Sequence, residues 1–340
     1  MATPFDPIPE PMLAKPVAEV PGSDGLSFEP KWDGFRAIVA VSPDGKVEIG
    51  SRGAKPLTRY FPELVAEFER QLPKGTVVDG EIIVRIGDPG DERLAWDQLT
   101  QRIHPADSRV QKLAVETPAS FVGFDLLAEK GDSLLEKPFS ERRAALERVL
   151  AKAVAPLHLS QTTQDAEVAR RWLVEFEGAG LDGVIAKPLD ATYQPNKRTM
   201  LKIKHSRTAD VVLIAYRIHK SGQGVGSLLL GLYTDAGDLV PVGGASAFSN
   251  ARRLELIDEL APLVTGTAEG ERSRFSGSKD VSMVTLRPER VLEVKYDQLE
   301  GWRFRHTVQF LRWRDDRDPK SCTYDQLETP AAYDLSSVLS

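Results

Sequence analysis

The chain has 340 residues, 41% of them hydrophobic, and a formal net charge of −6. That length suits about two domains, and the acidic balance speaks against a simple basic nucleic-acid coat, although local clusters can still bind phosphate. A single cysteine, Cys322, excludes an intramolecular disulfide framework and a thiolate zinc site. No apolar run is long enough to span a bilayer, the start Met1-Ala2-Thr3-Pro4-Phe5 does not read as a secretory signal, and His104, His158, His205, His219 and His306 lack metal-ligand spacing.

In chain order, the leader through Val20 carries Pro4, Pro7, Pro9, Pro11 and Pro16 and is expected to be extended. Pro21 to Gly25 reads as a turn, and Leu26-Ser27-Phe28-Glu29 as a strand leading into Lys31. The run Glu29-Pro30-Lys31-Trp32-Asp33-Gly34-Phe35-Arg36 contains a lysine, one residue, Asp-Gly, one residue and an arginine. An apolar alternation follows, Ala37-Ile38-Val39-Ala40-Val41, so the pattern predicts strand, tight turn at Asp33-Gly34, strand. On an extended segment residues two apart share a face, which points Glu29, Lys31 and Asp33 into one pocket. Two readings of the run stand: a surface Lys-Asp pair beside a turn, or a nucleophilic lysine. The second has a cost. A lysine of ordinary pKa is neutral in only about one molecule in ~2,500 at pH 7, and making it neutral one time in ten takes about 3.3 kcal/mol. Burial, neighbouring cations or a metal ion can supply this.

Val47 to Gly53 reads as a strand ending in a polar turn, where Arg52 is either solvated or reaches a phosphate or ribose. Pro62 to Leu72 has helical periodicity. Thr76 to Val84 is a β-branched strand interrupted by Asp79-Gly80-Glu81, acids that are expensive to bury without a cation. A bend at Gly80, or a role for Glu81 on a sugar hydroxyl or a metal, accounts for the interruption. Ala95 to Arg109 reads as a polar helix and loop, and Phe121 to Leu127 as a buried strand whose aromatics either pack or stack on a base. Helices are expected from Ser140, with a serine cap, and over Asp165 to Ala179. Leu181 to Lys187 is a strand with an Asp182-Gly183 entry. The run Lys197 to Arg207 holds Lys202 and Lys204 on one strand face, with Ile203 turned to the core. A lysine-protected edge strand explains that run equally well.

After Thr208 short strands alternate with Gly-rich turns: Asp210 to Tyr216, Ser227 to Tyr233, Leu239 to Gly243, Val291 to Tyr296 and Arg305 to Leu311, with a helix over Arg252 to Val264. About five strands and one helix suit a small barrel of the OB type. The boundary is placed near Thr208, giving domains 1–208 and 209–340, and the fold class is α+β. Arginines 303, 305, 312, 314 and 317 are locally concentrated, and surface ion pairs with Asp315, Asp316 and Asp318 are the simplest account of them.

The order of these pieces is more specific than any one of them. Lys31-x-Asp-Gly-x-Arg, Ser51-Arg52-Gly53, Asp79-Gly80-Glu81, Phe124-Asp125, Asp182 to Lys187, Lys202-Ile203-Lys204 and Arg314-Asp315-Asp316-Arg317 resemble the ordered motifs of the covalent nucleotidyltransferases. That superfamily includes ATP-dependent DNA ligases, RNA ligases and mRNA-capping guanylyltransferases. The chain most resembles a small bacterial ATP-dependent DNA ligase of the ligase C type. Two positions depart from the family pattern: Asp182 stands where Glu is usual, and Arg317 where Lys is usual.

The resemblance implies an adenylation domain of antiparallel sheets and flanking helices, followed by an OB-fold barrel. It implies that Lys31 takes AMP from ATP, with Asp33, Lys202 and Lys204 also in the catalytic set. Glu29 is then expected at the adenine amino group, Phe124 on the base, Arg52 and Glu81 on the ribose, and Lys202 and Lys204 on the α-phosphate. Arg36 is expected near the sugar and later the nick phosphate, Lys187 with the nucleotide, and Arg314 and Asp316 at the pyrophosphate. Glu81 and Asp182 are the expected ligands of Mg²⁺ or Mn²⁺. ATP rather than NAD is the expected donor, because only 30 residues precede Lys31 and the zinc module of NAD-dependent ligases is missing. The implied partner is nicked duplex DNA, with a repair polymerase as a possible protein partner, in a monomer of the bacterial cytoplasm associated with the nucleoid when on DNA. The alternatives are an RNA ligase, a capping-type guanylyltransferase, or a non-catalytic DNA-binding relative.

Overall fold

The structure, a computed structural model, describes residues 8–22, 24–53, 55–269, 282–328 and 330–339. Pro4 and Pro7 of the leader lie outside the described residues. The chain divides into two units, residues 1–204 with 330–340, and residues 205–329.

The first unit is built on two sheets. One has four strands, β1 (Leu13–Val17), β2 (Leu26–Pro30), β10 (Val184–Pro188) and β11 (Arg198–Ile203), in the order β1-β11-β10-β2. The other centres on β3 (Phe35–Val41), β4 (Val47–Ser51), β5 (Thr76–Ile86) and β7 (Ala119–Glu129), with the short strands β6 (Arg93–Leu94), β8 (Asp132–Ser133) and β9 (Leu157–Leu159) at its margins. Side chains alternate across each strand and so sort into layers. On β3, Ala37, Val39 and Val41 face a core shared with Leu64 and Phe68 of helix α1 (Pro62–Gln71). Ile38 and Ala40 face the other way and meet Met12 and Met200 of the four-stranded sheet. On that sheet Phe28, Val184, Ala186 and Ile203 pack under Ala166 and Ala169 of helix α5 (Ala166–Glu175), while Glu29, Ile185 and Lys202 turn to a cleft.

Several local readings need correction. Ala95 to Arg109 is not one helix and a loop but parts of two helices, α2 (Trp96–Gln101) and α3 (Asp107–Glu116). Helix α4 (Phe139–Leu150) has no serine cap; the loop carbonyls of Ala191 and Leu189 accept from the Phe139 and Ser140 amides at 2.9 Å, so no capping side chain is needed. Helix α5 (Ala166–Glu175) is capped by Asp165, continues as a short 3-10 turn, and stops at the left-handed Gly180. The proline-rich leader does more than run extended: β1 pairs in parallel with β11, and the Met12 amide donates to the Tyr193 hydroxyl at 3.0 Å.

The second unit is an antiparallel, OB-type barrel around the long strand β12 (Arg207–Ile218), whose first half pairs with β17 (Val291–Tyr296) and whose second half pairs with both β13 (Val225–Tyr233) and β16 (Ser282–Leu286). Strands β14 (Leu239–Ala245), β15 (Val264–Glu269) and β20 (Gln309–Trp313) extend it, and β18 (Leu299–Glu300) with β19 (Arg303–Phe304) forms a separate hairpin. Among the described residues nine strands replace the expected five: β15 and β16 are additional, and β18 and β19 form where the chain turns at Gly301. Helix α6 (Asn250–Leu260) buries Leu256 and Leu260 in the barrel core.

The domain ranges also need correction at the C-terminal end. Residues 330–339 do not belong with the barrel, because Leu335 and Val338 are fully buried in a cluster of the first unit beside Trp32 and Phe124. No helix of the described residues is long and apolar enough to cross a membrane.

Candidate active site

Lys31 sits just past the end of β2, and its position is set by backbone. Its amide donates to the Gly183 carbonyl at 2.8 Å, and its carbonyl accepts from the Asp182 amide at 3.1 Å. Gly183 must be glycine here: its φ is +134°, and a Cβ would lie 2.0 Å from the Ile203 carbonyl oxygen. Gly34 is equally constrained, since a Cβ there would lie 2.1 Å from the Ile82 carbonyl oxygen. The Asp-Gly turn can therefore press against β5.

The side chains of Lys31 and Lys204 share one oxygen. Asp182 Oδ2 lies 2.5 Å from Lys31 Nζ and 2.8 Å from Lys204 Nζ. Burial works to raise the Asp182 pKa, but the two ammonium groups outweigh it and hold the carboxyl below its ordinary value. Lys202 shifts downward through burial and the nearby charges of Lys31 and Lys204. Lys31 is 20% exposed, so its amine can be reached from the cleft.

The cleft has a volume of about 280 Å³. Of the expected residues, Glu29, Lys31, Arg36, Arg52, Glu81, Phe124, Lys202 and Lys204 line it. Asp33, Asp182 and Lys187 do not; β2 ends at Pro30, so its alternation stops short of Asp33. Buried Lys187 instead pairs with buried Glu29 at 2.7 Å and lies 4.6 Å from the Phe124 ring centroid. Burial pushes the Glu29 pKa up against the pull of Lys187.

Arg36 makes two hydrogen bonds to Asp79, at 2.6 and 2.7 Å, and its guanidinium lies 4.4 Å from the Phe124 ring centroid. Tyr193 donates to the same carboxylate at 2.6 Å. Arg36 is thus the cation that the buried acid of β5 required. Glu81 accepts from the Gly34 amide at 3.2 Å, and burial pushes its pKa up to about 7 despite Arg36 and Lys31.

Asp79, Tyr193 and Arg198 were given no site role from the sequence. Asp79 carried a signal in the acid-bearing apolar strand. Arg198 lies in the basic run and lines the cleft four residues before Lys202. Tyr193 carried none. Arg314 and Asp316 belong to the second unit, where Arg314 bonds to Asp316 at 2.9 and 3.0 Å and to Asp210 at 3.0 Å.

Among the described residues no group of three or more His, Cys, Asp or Glu side chains could hold a metal ion by itself. Mg²⁺ needs less: one or two carboxylates, with substrate phosphates and waters completing its octahedron. Glu81 lines the cleft, and Asp182, outside its lining but bonded to the cleft residues Lys31 and Lys204, has a buried Oδ1 with no hydrogen-bond partner. This donor set fits a magnesium ion carried in on a polyphosphate.

Two sheets enclosing a lysine, with further lysines and arginines gathered from distant strands, define a nucleotidyltransferase domain, and a separate OB-type barrel follows it. The sequence matches the families described as "ATP dependent DNA ligase domain" over residues 11–204 and "ATP dependent DNA ligase C terminal region" over residues 221–317. It is 52% identical to DNA ligase C of Mycobacterium tuberculosis, across 100% of this chain and 99% of that one. It is 52% identical to DNA ligase C2 of Mycolicibacterium smegmatis, across 97% of each. A solved structure titled "DNA binding with a minimal scaffold: Structure-function analysis of Lig E DNA ligases" shares the fold, with a TM-score of 0.58 at 17% identity over 90% of this chain and 100% of that one. The chain belongs to the ATP-dependent DNA ligase family.

Proposed function

We propose that this enzyme seals nicks between a 5′-phosphate and a 3′-hydroxyl in duplex DNA through a lysyl-AMP formed on Lys31. The observation that carries this reading is the amine of Lys31 in the cleft, held by Asp182 with Lys204 on the same oxygen. The ammonium proton leaves first, to water, while Asp182 Oδ2, 2.5 Å away, keeps the amine aimed. The lysine nitrogen then attacks the α-phosphorus of ATP; a P–N bond forms and the bond to pyrophosphate breaks. AMP passes to the 5′-phosphate of the nick, and the 3′-hydroxyl displaces it to form the phosphodiester.

Each step is phosphoryl transfer, where placement and charge neutralisation do most of the work. Lys202 and Lys204 supply positive charge to the α-phosphate, Glu81 and Arg52 hold the ribose, and Glu29, set by Lys187, meets the adenine amino group. Asp182 and Glu81 would hold Mg²⁺, which when bound adds charge neutralisation at the phosphates. Arg314 and Asp316 of the barrel orient the pyrophosphate. DNA contact is proposed to run through backbone phosphates, so it is sequence-independent and weakens with salt. A monomer working at the nucleoid beside a repair polymerase fits a nick as substrate.

The test is incubation with ATP and Mg²⁺ alone, followed by intact mass. One added AMP is expected, absent in Lys31→Ala and absent with GTP. The adenylylated protein should then seal nicked DNA in preference to nicked RNA, and shift a 5′-phosphorylated nick but not intact duplex on a gel. Label retained by Lys31→Ala would remove the assigned nucleophile.

A further inference from the structure

Residues 330–339 leave the barrel unit and finish as part of the first unit. Leu335, Val338 and Leu339 are buried there in one cluster with Trp32, Phe124, Phe176 and Leu181. Three of those neighbours touch the chemistry. Trp32 follows Lys31, Leu181 precedes Asp182, and Phe124 is a wall of the cleft.

Polar contacts fix the segment as well. The Leu335 amide donates to the Glu92 carbonyl at 2.9 Å, and the Glu92 amide donates to Asp334 at 3.2 Å. Gln161 Nε2 donates to the Val338 carbonyl at 3.3 Å, and His158 Nδ1 lies 3.2 Å from the Leu339 carbonyl. The same 158–161 stretch holds Trp32, whose indole donates to Ser160 Oγ at 2.9 Å. At Gly178 the backbones come so close that a Cβ would lie 1.9 Å from the Ala331 carbonyl oxygen. Gly178 needs no left-handed φ, so the close approach is what calls for glycine there.

We propose that residues 330–339 act as a positioning strap for adenylyl transfer, completing the floor on which Trp32, Leu181 and Phe124 set Lys31, Asp182 and the nucleotide. The inference rests on Lys31 being the nucleophile. The strap touches no substrate; it acts through residues adjoining those that do. Misplacing a reacting group by about 1 Å costs on the order of 100-fold in rate, so a loosened floor slows the step without removing the site.

The experiment compares the full chain with a chain ending at residue 329 and with Gly178→Ala. Single-turnover AMP transfer from ATP and Mg²⁺ is followed by intact mass, with the amplitude counting competent sites and the rate constant reporting placement. The shortened chain is expected to bind ATP within about threefold of the full chain and to transfer AMP on the order of 10- to 100-fold more slowly. A synthetic peptide of residues 330–340 added in trans should restore the rate. Gly178→Ala, which alters neither strap nor cleft residues, should lower the rate constant at unchanged amplitude. If the shortened chain does not fold, Gly178→Ala decides. A wild-type rate constant in the folded shortened chain, or in Gly178→Ala, overturns the proposal. Loss of the adduct in Lys31→Ala, run beside these, shows whether the underlying reading stands by itself.

Discussion

Asp182 Oδ2 lies 2.5 Å from Lys31 Nζ, although 151 positions separate the two residues in sequence. The pair is joined at the backbone too, since each residue bonds to the peptide strand of the other. The amine is thereby aimed before any substrate arrives, and Lys204 is drawn in by the same oxygen.

Asp182→Asn keeps the shape and removes the charge. It should slow lysyl-AMP formation on the order of 10- to 100-fold, with a much smaller change in ATP affinity. Asp182→Glu should keep most of the rate. Single-turnover mass spectrometry and equilibrium ATP binding, measured side by side, separate the two effects.

Glu81 gives a pH signature. Its folded pKa, pushed up to about 7 by burial, lies above the ordinary 4.5 of the unfolded chain. The folded state therefore holds this proton more tightly, and stability is lost as pH rises from about 4.5 to about 7, with the loss complete above that. Glu81→Gln should become more stable relative to wild type by about 2 kcal/mol between pH 5 and pH 8. Urea unfolding at the two pH values checks this, and a constant difference would contradict it.

Asp79 anchors Arg36 and Tyr193 together. Asp79→Asn should destabilise the protein by about 3 kcal/mol by leaving the Arg36 charge uncompensated. Tyr193→Phe should cost about 1.5 kcal/mol, the worth of a hydrogen bond to a charged group. Both should also slow AMP transfer, because Arg36 loses its place over Phe124. Chemical denaturation and transfer rates on the same samples test the ranking.

The buried Glu29–Lys187 pair should behave non-additively. Lys187→Met strands a buried carboxylate and should cost about 3 kcal/mol. Adding Glu29→Gln should recover more than 1 kcal/mol of it. A double-mutant cycle in urea gives the coupling directly, and a coupling near zero would show that the two side chains act independently.

Arg314 is assigned to the ATP step alone. Arg314→Ala should slow lysyl-AMP formation at least tenfold yet seal a pre-adenylylated nick within about threefold of wild type. Equal losses in both assays would place Arg314 on the DNA instead.

Much of the first unit was legible in the sequence because strand alternation is written residue by residue. The readings Leu26 to Glu29, Ala37 to Val41 and Thr76 to Val84 correspond to β2, β3 and β5, and the order of charged motifs pointed to one cleft. Other features were not legible. Lys187 looks like one more nucleotide-binding lysine, yet it faces Glu29 inside the core. Ser140 looks like a cap, but loop carbonyls already satisfy the helix amides. Tyr193 and Asp79 meet only because two sheets face each other, and Leu335 looks like a tail residue until its cluster is seen.

By itself, the sequence determined the alternating strands, the lysine-bearing turn and the set of charges available to the cleft, because these follow from local backbone geometry and residue type. Tertiary structure alone decided which acid meets which cation, that the leader becomes a strand, and that residues 330–339 return to the cluster around Trp32 and Phe124. Such pairings depend on which segments are brought face to face across the fold, and no short stretch of sequence records that.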